Sequence, residues 1–316
     1  MDIQRFKTVH YLAALGLFLF FFYIAVSAPP RSYPVGSIIS IREGAGLFEV
    51  ANTLKQDQVI RNAAWFRMVA VLLGGEKNLQ AGDYYLPYTQ NVYAIARRTV
   101  KGDHQIKTIK VTIPEGYTAR KIAELFDTRF SLFNKSEFTS LARQKEGYLF
   151  PDTYFIGVNA SATSTIKLLT DNFQKRTFPL TGDIAASGHS EEEIITMASI
   201  IESEADTQAD RAIVSGILWK RIAEGIPLQV DASLTYINGK TSAQMTQGDL
   251  AFDSPYNTYL YKGLPPTPIS NPGLESIEAA IHPTSTQYLY FLTGKDGKMY
   301  YAKTFDEHKA NIQKHL

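Results

Sequence analysis

The sequence predicts an α+β protein that follows an N-terminal membrane-spanning helix. Three observations lead to this class: a long uncharged apolar run near the N-terminus, short alternating strand patterns, and helical patterns outside regular strand–helix–strand units. The 316 residues are enough for one short anchor and about two domains. Hydrophobic residues make up 45% of the chain and charged residues 20%, as in an ordinary globular protein.

The first element is the apolar run at residues 9–28, VHYLAALGLFLFFFYIAVSA, which is long enough to cross a bilayer as a helix. Arg5 and Lys7 precede it, and positive residues favour the cytoplasmic side. We therefore expect residues 1–8 to be a cytoplasmic tail of a single-pass protein of the cell (cytoplasmic or inner) membrane. A cleaved signal peptide is the alternative, because the run ends in the small residues AVSA. The length of the run favours an uncleaved anchor.

Composition excludes several functional classes. A net charge of +1 without a basic stripe argues against nucleic-acid binding. The chain has no cysteine, which excludes disulfides, thiolate metal sites and a cysteine lipid anchor. Six histidines are scattered without a ligand spacing such as HExxH, so no metal site is predicted. No P-loop or GxSxG motif is present, which leaves carboxylates as the candidate chemical groups.

An internal repeat follows the anchor. Segments that begin at Ile41 and Ile113 share an EG pair, an apolar-alanine pair and later an Asn and a Phe at one constant offset. Each copy predicts a strand, a glycine turn, an amphipathic helix, a polar turn and a second helix. The first copy resembles the LysM type of glycan-binding module, which implies a LysM-like module and linker over residues 29–105. The second copy lies in residues 106–145. A scaffolding role is the alternative for both.

The C-terminal half carries denser signals. Ser190 and Glu193 form a capping-box pattern at the start of the helix EEEIITMASIIESEA. A second helix is predicted to end at Gly225, and a looser segment, TFPLTGDIAASGHS, precedes the capping box. YLYFLTGKDGKMYYAK predicts a C-terminal β-hairpin with its turn at KDGK. Thr304 and Glu307 predict the start of the last helix.

The helix MASIIESEAD ends in three carboxylates, of which one is a candidate acid. On a helix Glu202 lies within about 40° of Asp206, whereas Glu204 points about 160° away from Glu202. The helix body is apolar nearly all round and is therefore predicted to be buried, and burial raises the pKa of a carboxyl group. A protonated glutamic acid suits a general acid that acts on a glycosidic oxygen. Helical geometry does not choose between Glu202 and Glu204, and a solvated helix end is the alternative.

Four stretches carry a resemblance to a known family: MASIIESEAD, RAIVSGILWKRIAEGIPLQVDASLTY, SPYNTYLYKGLPPTPISNPG and EGYLFPDTY. They are similar to the MltG-type (YceG-like) endolytic murein transglycosylases, over nearly the whole chain. The resemblance implies that residues 106–316 are a transglycosylase catalytic region and that Glu202 is the catalytic glutamate. The chain departs from the family in Asp231-Ala232, where the family often has DP, and in a shorter membrane-proximal region.

The implied reaction is endolytic cleavage between N-acetylmuramic acid and N-acetylglucosamine in nascent peptidoglycan strands, with 1,6-anhydro ends and no cofactor. It would terminate glycan elongation, with cell-wall synthases as candidate partners. One glutamate can serve as acid and then as base, although Glu146 and Asp231 are rival second carboxylates. Two alternatives stay open: a muramidase that uses water, and a non-catalytic glycan-binding membrane anchor.

The loop at residues 254–273 is the predicted wall of the substrate cleft. Its five prolines restrict the backbone, and its tyrosines and neutral polar side chains suit an uncharged glycan. Arg211 is expected to pair with Asp206 or Glu204, which would leave Glu202 protonated. The predicted substrate-binding residues are Gln229, Asp231, Tyr256, Asn257, Thr258, Tyr259, Ser270, Asn271 and Glu146.

Overall fold

A computed structural model describes residues 3–130, 133–241 and 244–316 of the protein. The chain divides into two compact units. The first unit comprises Met1–Thr108 together with Gly157–Asn159, and the second comprises Ile109–Ile156 together with Ala160–Leu316. Helices predominate in both units and the strands form two-stranded sheets, so the fold class is α+β, as predicted.

The first unit begins with one long apolar helix, α1 (Ile3–Ser27). Its stretch His10–Ser27 has a mean hydropathy of 1.9 and is long and apolar enough to cross a membrane. The side chains of that stretch are almost all exposed, in contrast to those of a soluble core helix. This helix fits a single-pass membrane anchor.

The first unit continues as a strand–helix–helix–strand motif followed by a helix. The two strands pair antiparallel, with Ile38 opposite Tyr85 and Ile41 opposite Gly82. Apolar side chains of the two intervening helices, such as Leu54 and Phe66, are fully buried between them. The elements are β1 (Ile38–Ile41), α2 (Leu47–Gln56), α3 (Ala63–Leu72), β2 (Gly82–Tyr85) and α4 (Val92–Lys101).

The second unit contains four strands and ten α-helices within its described residues. The strands are β3 (Thr108–Thr112), β4 (Thr153–Gly157), β5 (Tyr290–Thr293) and β6 (Met299–Ala302). The helices are α5 (Ala119–Asp127), α6 (Lys135–Ala142), α7 (Ala162–Thr177), α8 (Thr181–Ser187), α9 (Glu191–Glu204), α10 (Gln208–Ala223), α11 (Asp231–Asn238), α12 (Gln247–Leu250), α13 (Leu274–Ile281) and α14 (Phe305–His315). β3 pairs with β4, and β5 pairs antiparallel with β6.

The two repeated segments have the same order of elements. In the first, β1 is followed by a turn at Gly44 with φ +76°, and then by α2 and α3. In the second, β3 is followed by a turn at Gly116 with φ +72°, and then by α5 and α6. Only glycine adopts these left-handed angles at little cost, which explains why both copies carry a glycine at the turn.

Helix α9 is the central helix of the second unit. Its body from Ile194 to Ile201 is at most 2% exposed at every position, as the all-round apolar sequence predicts. Its start is the predicted capping box: Glu193 N–H donates to Ser190 Oγ, and Ser190 N–H donates to the Glu193 carboxylate. Side chains of α10 and α13 share its apolar cluster.

Two regions differ from the sequence prediction. The segment expected to be loose contains α8, because Leu180 and Ile184 pack against the apolar cluster around α9 and stabilise a short helix. Helix α11, which begins at Asp231 directly after the buried Val230, was not predicted. Its eight residues are too few to give a clear periodic pattern.

Candidate active site

Glu202 and Glu204 both lie in the last turn of α9, which ends at Ala205 with an extended backbone. They leave the helix on different faces and have different surroundings. Glu202 contacts the start of α13, whereas Glu204 faces the segment that leads into α11. Although Glu202 and Glu204 are only two positions apart on α9, the surroundings of each carboxyl group are set by the element that it faces.

Glu202 is held by donors on both carboxylate oxygens. The backbone N–H of Gly273, the N-cap residue of α13, donates to Oε2 over 2.9 Å, and Arg211 Nη2 lies 3.4 Å from Oε1. The Glu202 side chain is only 6% exposed. Burial raises the pKa of Glu202, and the Gly273 N–H and Arg211 oppose that rise. These donors stabilise the ionised form and anchor the start of α13.

Arg211 does not pair as expected. We predicted Asp206 or Glu204 as its partner, but its guanidinium contacts Glu202 and Glu275 and donates to the Ala205 carbonyl oxygen over 3.1 Å. The reason is helical direction: Arg211 belongs to α10, on the side of the α9 terminus that faces α13. Arg211 therefore lowers the pKa of Glu202 and leaves Glu204 without a cationic partner of this kind.

A cavity of about 700 Å³ lies within the second unit beside the C-terminal end of α9. Glu204 lines this cavity, and Glu202 is not among the lining residues. Polar and aromatic side chains share the lining of this cavity with Glu204, so it offers a ligand both hydrogen-bonding groups and flat apolar faces. These side chains include Gln229, Asp231, Tyr259, Arg221, Tyr290 and His308.

Glu204 has the strongly shifted acidity that a general acid requires. Burial is the main cause, and the nearby charge of Asp231 adds to it; together they raise the pKa of Glu204 to about 7. A hydrogen bond from the Ala232 N–H opposes the rise. Glu204 is therefore about half protonated near neutral pH, and the carboxylate of Asp231 lies nearby.

Asp231 and Tyr259 form a hydrogen-bonded pair in the cavity wall. The Tyr259 hydroxyl donates to Asp231 Oδ1 over 2.5 Å. Burial, the bond to Asp231 and the charge of Glu204 raise the pKa of Tyr259, so its hydroxyl keeps its proton at neutral pH. Asp231 is the first residue of α11, and the hydroxyl of Tyr259 fixes its orientation.

Gln229 adopts a strained backbone conformation at the cavity. Its φ is +53°, which is rare for a residue other than glycine. The conformation is held by three hydrogen bonds: Gln229 N–H to the Thr258 carbonyl oxygen, Arg221 Nη1 to the Leu228 carbonyl oxygen, and Arg221 Nη2 to Gln229 Oε1. Because Oε1 accepts from Arg221, the carboxamide NH₂ of Gln229 is left as a donor for a ligand.

The structure brings only part of the predicted substrate-binding set together. Gln229, Asp231 and Tyr259 line the cavity with Glu204. The other six predicted residues do not line it: Tyr256, Asn257, Thr258, Ser270, Asn271 and Glu146.

Four of those six side chains are internal braces of the loop at residues 254–273. Asn257, Thr258, Ser270 and Asn271 are at most 3% exposed. Asn257 donates to the Leu250 and Phe252 carbonyl oxygens, and Ser270 donates to Ser199 O. Their polar groups are thus bonded to protein and are not offered to a ligand.

Glu146 is a buried bridge between three elements. Its carboxylate accepts from the Ala119 N–H and from Asn271 Nδ2, each over 2.9 Å, and from the Tyr236 hydroxyl over 3.4 Å. Burial raises the pKa of Glu146 to about 7. It joins α5, the loop and α11 within the second unit.

Polar and aromatic cavity residues that sequence reasoning missed include Arg221, Tyr290 and His308. Tyr290 stands in β5 and His308 in α14, far along the chain from Glu204. Arg221 lies in the last turn of α10, where basic residues are common, so its position in the sequence carries no functional signal. Among the described residues, no group of three potential metal ligands is present.

Comparison with known proteins gives consistent matches. Residues 39–314 match the YceG-like family. A Bacillus subtilis (strain 168) protein named endolytic murein transglycosylase is 32% identical over 305 residues, which cover 88% of this chain and 84% of that protein. A Streptococcus pneumoniae serotype 2 protein of the same name is 28% identical over 88% of this chain, which spans 58% of its length.

A solved structure resembles the fold. The crystal structure of a YceG-like protein from Listeria monocytogenes superposes with a TM-score of 0.60 at 31% sequence identity. The match covers 87% of this chain and 98% of that one.

Proposed function

Because the chain belongs to the YceG-like family, we propose that it is an endolytic murein transglycosylase, the activity for which its Bacillus and Streptococcus relatives are named. Its substrate in this proposal is the glycan strand of peptidoglycan. It cleaves the bond between N-acetylmuramic acid and N-acetylglucosamine inside the strand and leaves 1,6-anhydro-muramyl ends. Cleavage of this kind ends the growth of a nascent strand.

One observation carries the proposal: Glu204 lines a cavity of about 700 Å³ with its pKa raised to about 7. An acid with this pKa is about half protonated at neutral pH, and the protonated form yields its proton to a glycosidic oxygen as the bond breaks. A sugar of the strand occupies the cavity in this account, with its scissile oxygen within hydrogen-bond reach of Glu204.

The reaction needs one carboxyl group that acts twice. Glu204 donates its proton to the bridging oxygen, the bond from that oxygen to C1 of the muramyl residue breaks, and N-acetylglucosamine leaves with a hydroxyl group. The Glu204 carboxylate then takes the proton of the muramyl 6-hydroxyl, whose oxygen bonds to C1 and closes the 1,6-anhydro ring. The carboxyl group ends protonated, as it began, and no water or cofactor is consumed.

Asp231 and Gln229 have supporting roles beside Glu204. Asp231, which accepts a hydrogen bond from Tyr259, raises the pKa of Glu204 and stabilises positive charge as it develops at C1. Gln229, whose backbone is held in place by Thr258 and Arg221, directs its free NH₂ group to the sugar. Neutral donors of this kind suit an N-acetyl or hydroxyl oxygen.

We propose Glu204 as the acid because it lines the cavity, with Glu202, the residue that the family resemblance implies, as the alternative. Glu202 has a raised pKa as well, but its Oε2 accepts from the Gly273 N–H, its Oε1 faces Arg211, and it does not line the cavity. A general acid must reach a substrate oxygen with its proton. Glu202 then acts as the anchor that holds the start of α13 and Arg211 against α9.

Digestion of purified uncrosslinked glycan strands by the full-length protein in detergent tests the proposal. Mass spectrometry should find new muramyl ends that are one water lighter than the ends made by a muramidase. Ends one water heavier would instead identify a hydrolase, and intact strands would remove the enzymatic function altogether.

We further propose that α1 anchors the enzyme in the cell membrane with its N-terminus in the cytoplasm. The support is the apolar stretch His10–Ser27 together with Arg5 and Lys7 before it. Edman sequencing of the mature membrane-fraction protein should return the N-terminus of the uncleaved chain. A mature N-terminus near Ala28 would contradict the anchor.

A second function, glycan binding without catalysis, is favoured by one feature of the first unit. A cavity of about 220 Å³ lies between β1 and α2 and is lined by both apolar and polar side chains. This unit contains the first repeated segment, whose sequence resembles LysM modules. The test uses an inactive Glu204→Gln protein and measures its binding to glycan strands. Loss of that binding when Glu49, which lines the cavity, is also replaced by Arg would support a separate glycan site.

A further inference from the structure

Helix α3 of the first unit has an exposed apolar stripe in addition to its buried face. Its buried face consists of Phe66, Val69 and Ala70. The stripe consists of Met68, Val71 and Leu72, which are 44%, 46% and 78% exposed. A helix that is apolar on both faces is expected inside a large core or in contact with lipid.

The α3 stripe is continuous with the end of α1. Trp65 Nε1 donates to Ser27 Oγ over 3.0 Å, and the Trp65 ring meets the Tyr23 ring edge-on at 6.2 Å between centroids. Trp65, Met68 and Leu72 are spaced as i, i+3 and i+7, which places them along one side of the helix. The α3 stripe therefore starts at the point where the apolar helix ends.

The charges around the α3 stripe suit a lipid surface. The segment from Arg61 to Leu72 contains two arginines and no acidic residue. Arg61 donates to the Pro29 carbonyl oxygen next to the end of α1, and Arg67 lies 4.8 Å from the centroid of the exposed Phe48 ring. Arginines beside apolar and aromatic side chains extend their charges to lipid head groups while their stems cover apolar surface.

We propose that the α3 stripe, with Trp65 and Phe48, is inserted in the interfacial layer of the membrane that α1 crosses. The occupant of this surface is lipid, with anionic head groups near Arg61 and Arg67. Tryptophan is the residue expected at that depth. The first unit is thus attached to the bilayer by two contacts, the spanning helix and the side of α3, and does not hang on a free tether. The proposal rests on α1 as a membrane anchor.

The absence of cysteine in the chain allows a direct test. Full-length Leu72→Cys and Met68→Cys proteins are labelled with bimane and reconstituted in vesicles of phosphatidylglycerol and phosphatidylcholine. A nitroxide placed high on the lipid acyl chain should quench both labels by about twofold or more. Tyr93→Cys on α4 is the matched control, because Tyr93 is 51% exposed but lies outside the stripe; its label should not be quenched. Leu17→Cys, near the middle of the apolar stretch of α1, reports the anchor through a second nitroxide placed deep on the acyl chain.

Each outcome decides the proposal. Quenching at Leu17 without quenching at Met68 or Leu72 overturns the lipid contact while the anchor stands. No quenching at any of the positions overturns both. In detergent, a bimane label at Leu72 that is shielded from a water-soluble quencher, together with dimers trapped by a chemical cross-linker, would show that a second copy of the chain covers the stripe. This result also overturns the proposal. Each labelled protein should unfold in detergent at the same midpoint temperature as the wild type, which shows that the variants are folded.

Discussion

Replacement of Asp231 by Asn should shift the pH dependence of cleavage. In the proposed mechanism the acid form of Glu204 is the active one, so the rate should fall as pH rises through its pKa, which is about 7. In the wild-type enzyme we expect about half of the acid form at pH 7 and about one tenth at pH 8. Asp231→Asn removes the like charge and should move this descending limb to lower pH.

The size of the shift follows from the ranking of causes. The ordinary pKa of Glu204 is 4.5, and burial contributes more to the rise to about 7 than Asp231 does. Asp231 is therefore the smaller of the two raising causes, and the limb should move down by less than the full distance between about 7 and 4.5. Burial is retained in the variant, so the limb should not return to the value of an exposed glutamate.

The assay is kcat/KM for release of anhydro-ended fragments between pH 5 and pH 9, because this ratio reports groups of the free enzyme. Asp206→Asn is the matched control: it removes an exposed carboxylate close to the same helix end, and the limb should stay in place. The reasoning would be refuted if Asp231→Asn left the descending limb of the pH–rate profile in place. It would also be refuted if Asp206→Asn moved that limb as far as Asp231→Asn does.

Three further predictions follow from contacts near the cavity. Glu202→Gln leaves the buried Arg211 with one anionic partner fewer and should lower the free energy of unfolding by about 1–3 kcal/mol, measured by urea denaturation, while turnover persists; an inactive but fully stable protein would contradict the anchoring role. Tyr259→Phe removes the hydroxyl that donates to Asp231 and should reduce kcat about tenfold without a change in thermal midpoint; unchanged kcat would exclude a role for this bond. Glu146 has its pKa raised to about 7 in the folded protein, so its contribution to stability is complete below pH 4.5 and is lost as pH rises through 7. Relative to wild type, Glu146→Gln should therefore gain up to about 3 kcal/mol in unfolding free energy between pH 4.5 and pH 8, and parallel stability profiles of the two proteins would count against a buried neutral Glu146.

Much of the local structure was predictable because its causes are local. The capping box of Ser190 and Glu193, the glycine turns at Gly44 and Gly116, and the buried body of α9 each depend on residues within one or two turns. The fold class and the apolar N-terminal helix follow from patterns of the same short range.

The choice between Glu202 and Glu204 was not predictable from the helix that carries both. Helical spacing places them on different faces, but what each face meets is decided by Gly273 and Asp231, distant residues in other elements. The family resemblance favoured Glu202, and the cavity favours Glu204.

Polar side chains of the loop at residues 254–273 show the same limit. Asn257 and Tyr259 are close neighbours in the sequence, and both side chains can donate and accept hydrogen bonds. Asn257 is fully buried and braces the loop, whereas Tyr259 lines the cavity. Composition identifies a polar loop, and only tertiary packing separates the braces from the cavity wall.

The most direct test compares Glu204→Gln with Glu202→Gln in one digestion of uncrosslinked glycan strands, with anhydro-muramyl ends counted by mass spectrometry. We predict that Glu204→Gln forms no such ends but still binds strands, because the amide keeps the shape of the acid and lacks its proton. Glu202→Gln should still form them. Anhydro ends from Glu204→Gln, with none from a folded Glu202→Gln protein, would contradict the assignment of the acid.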